Sequence, residues 1–101
     1  MKRYRARYTM EAAGRIRKLH PQIKREIREG IRILLETPLI GYSLHFELSG
    51  LWSYRVRNHR ITYRINDDEA MIDIILVGPR RDVYEVLRDL LIDKRRTECE
   101  T

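Results

Sequence analysis

The sequence predicts one α+β domain in which helices pack on a mostly antiparallel sheet, and three observations indicate this class. Residues 2–8 alternate basic and other side chains, as a short strand does. Apolar residues then recur at helical spacing in two consecutive stretches between residues 10 and 35. Three strand-like runs follow at about 52–57, 60–65 and 71–77. The expected order is an N-terminal strand, a helical hairpin, a three-stranded antiparallel meander and a C-terminal helix.

The helical hairpin is predicted from its caps and its apolar stripes. Thr9 can cap the first helix, and its stripe is formed by Met10, Ala13, Ile16 and Leu19. Pro21 suits the first turn of the second helix, and Thr37-Pro38 ends it. The buried face of this second helix is formed by Ile23, Ile27, Ile31, Leu34 and Leu35. Each helix therefore offers one apolar side to the sheet.

The meander is predicted from alternation, because successive strand residues point to opposite faces. One face is apolar and carries Trp52, Tyr54, Val56, Ile61, Tyr63 and Ile65. The other face carries Ser53, Arg55, Arg57, Arg60, Thr62 and Arg64. Asn58, in the first turn, tolerates left-handed backbone conformations. Residues 72–77 are nearly all apolar, which predicts a central strand that ends at Gly78-Pro79.

Two segments beside the meander complete the organisation. Residues 41–50 are a connector with some strand character around Leu44, Phe46 and Leu48. The C-terminal helix is expected to start at Asp82, with Glu85 in capping-box spacing. We expect a single domain over residues 1–101, with a charged and frayed tail at about 93–101.

Composition narrows the class of partner. Hydrophobic residues make up 43% of the chain, which excludes a disordered protein, and the formal charge of +6 favours anionic partners. The one cysteine, Cys99, excludes an intrachain disulfide. With no charged-then-apolar leader and no apolar run near 18 residues, we expect a cytoplasmic protein that does not engage the membrane.

Cations are concentrated at two places that the fold could bring together. Residues 51–66 hold four arginines and no carboxylate. Arg80 and Arg81 precede the C-terminal helix, where the positive end of the helix dipole makes two cations unfavourable unless an anion binds. Local neutralisation by Asp82 is the alternative. Tyr84, one turn into the helix, suits the core and a site equally.

The chemistry that such a cluster supports is phosphate binding and phosphoryl transfer. If Arg55 and Arg60 converge with Arg80 and Arg81, their guanidinium forks would hold a phosphate. Nearby cations lower the pKa of a tyrosine, so Tyr84 could accept a proton. RNA brings its own nucleophile, the 2′-hydroxyl, so no metal or cofactor is needed. The three histidines show no metal-ligand spacing: His20, His45 and His59.

Three stretches together resemble the RelE/ParE toxin superfamily: residues 48–56 (LSGLWSYRV), 60–63 (RITY) and 77–84 (VGPRRDVY). The resemblance spans nearly the whole chain and implies the toxin half of a type II toxin–antitoxin pair. RelE-like members cut mRNA in the ribosomal A site without a metal. The implied partners are therefore a cognate antitoxin protein, the ribosome and mRNA, and a higher-order toxin–antitoxin complex is compatible with the resemblance.

The resemblance also implies roles for individual residues. Arg55 and Arg60 would be the strand cations, Arg80 or Arg81 would stabilise the transition state, and Tyr84 would assist proton transfer or stack on a base. Two further strand cations are expected to steer or hold RNA: Arg57 and Arg64. His59, in or beside a turn, is either simply exposed or a further RNA contact.

Departures from the family pattern keep alternatives open. Ser53 stands where a basic residue is common, Asn58-His59 stands where Asp-Tyr is common, and Pro79 replaces a frequent histidine. The first alternative is a ParE-like inhibitor of DNA gyrase that acts by binding. The second is a catalytically weakened toxin that mainly binds its antitoxin.

Overall fold

One five-stranded sheet organises the residues that the computed structural model describes, 3–44 and 48–79. Its strands are β1 (Arg5–Tyr8), β2 (Tyr42–Ser43), β3 (Trp52–Val56), β4 (His59–Asn66) and β5 (Met71–Pro79). Two helices, α1 (Met10–Arg17) and α2 (Pro21–Glu36), and a 3-10 turn at Pro38–Ile40 connect β1 to β2. The predicted N-terminal strand, helical hairpin and meander are confirmed. The helix predicted from Asp82 and the tail at 93–101 lie outside the described residues.

The strands lie in the order β1-β5-β4-β3-β2. β1 pairs with β5 in parallel, and the other three pairs are antiparallel, so the mostly antiparallel sheet is confirmed. β5 lies between β1 and β4, as its apolar sequence predicted. The register of β4 on β5 shifts between Thr62, opposite Leu76, and Tyr63, opposite Ile74. This bulge puts Ile75 and Leu76 into one small apolar cluster.

The helix caps follow the sequence. The Thr9 hydroxyl accepts a hydrogen bond from the Ala12 amide at 3.1 Å, and Pro21 occupies the first turn of α2. The predicted buried face of α2 is confirmed: Ile27, Ile31 and Leu34 are buried, and Ile23 and Leu35 pack against the same cluster. Within residues 3–44 and 48–79, no helix is both long and apolar enough to cross a membrane.

Two residues of the apolar stripe predicted for the first helix, Ile16 and Leu19, pack against the core, but Met10 does not. Met10 is 92% exposed, whereas Ala12 is fully buried. The reason is the close attachment of the helix start to β5, where the Thr9 hydroxyl donates to the Ile75 carbonyl at 2.7 Å. A helix held this close to a sheet presents a small side chain to it, so Ala12 takes the position that the spacing had assigned to Met10.

The core lies between the helices and one side of the sheet. It contains Ile61 and Tyr63 of β4 and Ile72 and Ile74 of β5. Trp52 of β3 stacks on Tyr63 with ring centroids 6.3 Å apart. The side of the sheet that faces away from the helices is called the outer face below. Near its middle three side chains are buried: Ser53, Thr62 and Leu76.

Tyr63 also ties the segment after α2 to the sheet. Its hydroxyl donates to the Pro38 carbonyl at 2.6 Å and accepts from the Gly41 amide at 3.2 Å. Burial raises the pKa of Tyr63 to about 12. A Cβ on Gly41 would lie 2.5 Å from the tyrosine oxygen and 2.7 Å from the Ser53 carbonyl oxygen, so only glycine fits there. This attachment places β2 beside Ser53.

The connector at residues 41–50 differs from the prediction in where it forms a strand. The paired residues are Tyr42 and Ser43, upstream of the expected strand character at Leu44 and Leu48. Leu48 instead packs on Leu76 of the outer face. The position of β2 is determined by the hydrogen bond from Gly41 to Tyr63 and by the pairing with β3. Neither of these contacts can be predicted from the local sequence. Phe46 lies outside the described residues.

Candidate nucleic-acid interface

Arg55 of β3 and Arg60 of β4 lie directly opposite each other in the sheet. Both alternate with residues that pack in the core, Tyr54 and Ile61, which places the arginines on the outer face. Like charges directly opposite on neighbouring strands destabilise a sheet. An anion bound by both guanidinium groups removes that cost. We call these two residues the cross-strand arginine pair.

Arg55 keeps its charge available to a ligand. Its side chain is exposed, and its Nε donates to the backbone carbonyl of Arg57 at 2.9 Å. Within residues 3–44 and 48–79, no carboxylate pairs with it. A carbonyl holds a guanidinium in place without cancelling its charge. With respect to residues 3–44 and 48–79, the remaining N–H groups of Arg55 can donate to phosphate oxygens.

Arg60 is half-buried and contacts Ser53, one of the residues that depart from the family pattern. Its Nη1 donates to the Ser53 hydroxyl at 3.3 Å, and Ser53 is only 2% exposed. The serine therefore supports a neighbouring arginine where a basic residue would repel it. Thr62, opposite Ser53 on β4, is fully buried, and its hydroxyl has no hydrogen-bond partner among the residues that the structure describes.

The turn between β3 and β4 differs from the prediction. Val56 pairs with His59, which leaves Arg57 and Asn58 as a two-residue loop. Arg57 takes the positive φ of 54°, and Asn58 does not. A positive φ at the first loop residue alone is typical of a type II′ turn, which favours glycine at that position. β3 accordingly ends at Val56, one residue before the predicted end.

Arg57 does not share a face with Ser53 and Arg55, so that expectation is wrong. Its Nε lies 3.1 Å from Oε1 of Glu26 on α2, on the helix side of the sheet. The physical reason is the left-handed backbone at Arg57, which breaks strand alternation at that residue. The Arg57 side chain thus lies on the other side of the sheet from the cross-strand arginine pair, whereas its carbonyl accepts the hydrogen bond from Arg55.

His59 also lies on the helix side. It is half-buried and lines a cavity of about 300 Å³ between the N-terminal part of α2 and the hairpin turn. The other lining residues are His20, Gln22, Ile23, Glu26, Arg57 and Asn58. The structure therefore does not bring His59 together with Arg55 and Arg60.

Arg64 lies on the outer face at the far end of the sheet, opposite Asp73. Asp73 binds Arg7 of β1, with Nε 2.5 Å from Oδ1, and a second nitrogen of Arg7 lies 2.7 Å from Glu69. Hydrogen bonds to these two carboxylates raise the pKa of Arg7, and the bond to Asp73 makes the larger contribution. We call Arg7, Arg64, Glu69 and Asp73 the acid-paired end. Positive charge is largely balanced there.

The remaining predicted site residues, Arg80, Arg81 and Tyr84, lie outside the described residues. The structure describes β5, which ends immediately before Arg80 in the sequence. Gly78 of β5 is the cross-strand partner of Arg60, and it precedes Arg80 by two positions in the sequence. Pro79, the departure from the family pattern, is the last residue of β5 and pairs with His59.

Two contacts at the site were not predicted from the sequence. The spacing of α2 marks Glu26 only as a polar helix residue, and nothing in it indicates the ion pair with Arg57. Ser53 was noted as a missing cation, but its hydrogen bond to Arg60 depends on the β3–β4 register. Across residues 3–44 and 48–79, no three His, Cys, Asp or Glu side chains are grouped to hold a metal.

Comparison with known proteins identifies the family. The sequence pattern described as the ParE toxin of type II toxin–antitoxin systems, parDE, matches residues 3–84. Toxin RelG of Mycobacterium tuberculosis is 35% identical over 83 residues, which cover 80% of this chain and 95% of that protein. The chain therefore belongs to the RelE/ParE superfamily of type II toxins.

Solved structures agree with this assignment. The toxin–antitoxin complex RelBE2 of Mycobacterium tuberculosis contains a chain that is 34% identical and matches with a TM-score of 0.72, covering 77% of this chain and 99% of that chain. A chain of the intact RelBE toxin–antitoxin complex of E. coli matches with a TM-score of 0.68 at 20% identity, covering 77% and 98%. The second match supports the fold alone.

Proposed function

We propose that this toxin is a metal-independent, ribosome-dependent endoribonuclease that inhibits translation by cutting mRNA. The observation that carries the proposal is the cross-strand arginine pair, two cations held face to face on a rigid sheet. Arg55 is positioned by a neutral carbonyl, which leaves its charge for an anion. A phosphodiester on the outer face would relieve the repulsion between the arginines and use both guanidinium groups.

The reaction follows from the nucleophile that RNA carries. The 2′-oxygen attacks the adjacent phosphorus, a new O2′–P bond forms, and the bond from phosphorus to the 5′-oxygen breaks. Arg55 and Arg60 bind the non-bridging oxygens, whose negative charge grows in the pentavalent transition state. Tyr84 accepts the 2′-hydroxyl proton, and Arg80 or Arg81 adds charge stabilisation. The 5′-oxygen leaves with a proton from solvent.

The proposal also names partners. RelBE2 of Mycobacterium tuberculosis and RelBE of E. coli are toxin–antitoxin complexes, and we extend that property to this chain, which would bind a cognate antitoxin protein. The formal charge of +6 suits an antitoxin with an acidic segment as well as ribosomal RNA. A ribosomal target places the protein in the cytoplasm.

Gyrase inhibition is the second candidate function, because the matching family pattern is that of the ParE toxin. Such a toxin acts by binding and needs no cleavage geometry. Induction would then cause growth arrest with an SOS response and intact mRNA. A third outcome, tight antitoxin binding without toxicity, would identify a weakened toxin.

The test is to induce the protein and map mRNA 5′ ends with and without active translation. We expect new 5′ ends that appear only while ribosomes translate. Arg60→Ala should abolish them, and Arg32→Ala is the matched control. Arg32 is paired with Glu29 and Glu36 on the exposed side of α2. Intact mRNA in cells arrested by the wild-type protein would contradict the proposal.

A further inference from the structure

The ion pair between Arg57 and Glu26 has no role in the reaction proposed above, although it lies next to the cross-strand arginine pair. Arg57 is the first residue of the β3–β4 turn, and Glu26 lies in the N-terminal half of α2. Their side chains approach to 3.1 Å across the space between helix and sheet. Helix α2 therefore contacts the turn between β3 and β4, the two strands that carry Arg55 and Arg60.

The backbone at Arg57 is the second observation. Its φ of 54° lies in the left-handed region, where residues other than glycine and asparagine are uncommon. Asn58, which tolerates that region better, follows directly and does not adopt it. A strained residue persists where the surrounding structure holds it in place, and such residues are concentrated near functional sites.

The third observation connects the turn to Arg55. The carbonyl of Arg57 accepts the hydrogen bond from Arg55 Nε at 2.9 Å. Among residues 3–44 and 48–79, this is the one side-chain hydrogen bond that orients Arg55, so the direction of its guanidinium depends on where that carbonyl points. The carbonyl direction in turn depends on the backbone angles of Arg57.

We propose that Arg57 is a positioning residue: Glu26 anchors its side chain on α2, and its carbonyl holds the guanidinium of Arg55 beside Arg60 for an RNA phosphate. The proposal rests on the function proposed above and replaces the expected RNA contact of Arg57. A role in bulk stability is a poor alternative. The side chain of Arg57 is 73% exposed in this pair, and exposed ion pairs contribute little to folding.

Charge variants separate positioning from a direct RNA contact. Glu26→Arg should lower kcat for ribosome-dependent cleavage about five-fold with KM within about two-fold, because the repelled Arg57 displaces its carbonyl. Combining Glu26→Arg with Arg57→Glu restores an attractive pair and should recover most of kcat. Glu36→Arg makes the same change of charge in another exposed pair on the same helix and serves as the matched control.

A second measurement does not depend on cleavage. In the full-length toxin, the ¹⁵N-labelled Nε–H group of Arg55, assigned with Arg55→Lys, should exchange with solvent slowly because it is hydrogen-bonded. Glu26→Arg should speed this exchange about five-fold, and the swapped pair should slow it again. The Nε–H of Arg32 should not change in either variant.

Each combination of kcat and exchange rate either supports or overturns the positioning role of Arg57. Recovery of both kcat and slow exchange in the swapped pair supports it. Unchanged kcat and unchanged exchange in Glu26→Arg overturn it. A higher KM with unchanged exchange also overturns it, because that result would indicate that Arg57 contacts RNA directly. If the wild-type protein does not cut mRNA, the proposed function fails, and the exchange measurement alone decides whether Arg57 positions Arg55.

Discussion

The two ends of the outer face both carry arginines, but they differ in what the neighbouring strand places opposite them. At the acid-paired end, β5 supplies Asp73 opposite Arg64, and Asp73 also binds Arg7. At the other end, β5 supplies Gly78 opposite Arg60, and β3 supplies Arg55. In the strand register, an arginine thus faces an acid at one end of the outer face, and two arginines face each other at the other end.

This difference shows that arginine content alone does not locate a phosphate site. A carboxylate partner fixes a guanidinium and neutralises it, which suits a strand junction such as β1–β5. A carbonyl or hydroxyl partner fixes a guanidinium and leaves its charge, which suits anion binding. Arg55 has such a carbonyl partner and pairs with no carboxylate among residues 3–44 and 48–79. Four predictions test the contrast.

The largest expected effect is the loss of cleavage when a member of the cross-strand arginine pair is removed. Arg60→Ala should lower kcat about 100-fold or more, the usual cost of removing a donor that stabilises transition-state charge. Arg7→Ala, at the acid-paired end, should leave kcat within about two-fold. Single-turnover cleavage of a ribosome-bound message measures both, and equal losses would erase the distinction between the two ends.

The second effect is a loss of folding stability at alkaline pH, caused by ionisation of Tyr63 in the core. The pKa of Tyr63 is raised to about 12, above the normal value of ~10 in the unfolded chain, so its stabilisation is complete below pH 10 and is lost as the pH rises through 12. The loss should reach about 2 kcal/mol. Denaturant unfolding from pH 8 to 12 measures it.

Tyr63→Phe is the control for that experiment. It removes the titrating hydroxyl together with its bonds to Pro38 and Gly41, so it should cost about 1–3 kcal/mol at pH 8. The variant should then lose less stability than the wild type between pH 10 and 12. An identical alkaline profile in both proteins would assign the transition to other groups.

The third effect concerns the hydroxyl that supports Arg60. Ser53→Ala removes the acceptor 3.3 Å from Arg60 Nη1 and should lower kcat about five-fold, as expected for loss of one hydrogen bond worth about 1 kcal/mol. Adding Ser53→Ala to Arg60→Ala should then cause little further loss, because both changes remove the same interaction. A fully additive double variant would show that Ser53 acts independently of Arg60.

The smallest effect should come from exposing the charges of the acid-paired end. The double change Asp73→Asn and Glu69→Gln removes the carboxylates that bind Arg7. Affinity for single-stranded RNA should rise a few-fold, and its dependence on salt should steepen by about one phosphate contact. Cleavage should be unchanged. Filter binding at several salt concentrations measures it, and an unaltered salt slope would show that these arginines do not reach RNA.

Local patterns were sufficient to predict most of the fold. The caps at Thr9 and Pro21, the stripe of α2 and the alternation over 52–56 and 60–65 depend on neighbours in sequence, and all of them are present in the structure. Met10 was misplaced because the distance of α1 from β5 decides which of its residues is buried. Arg57 was misplaced because one left-handed residue breaks the period of a strand.

The sequence by itself determined the element order up to β5, the apolar face of the sheet and the placement of Arg55 and Arg60 on its opposite face, because helix and strand periods are properties of short segments. Only the tertiary structure decided what each cation meets. Register set Gly78 opposite Arg60 and Asp73 opposite Arg64, and packing of α2 brought Glu26 to Arg57. Such contacts join residues far apart in the chain, so their energies have no signature in any local pattern.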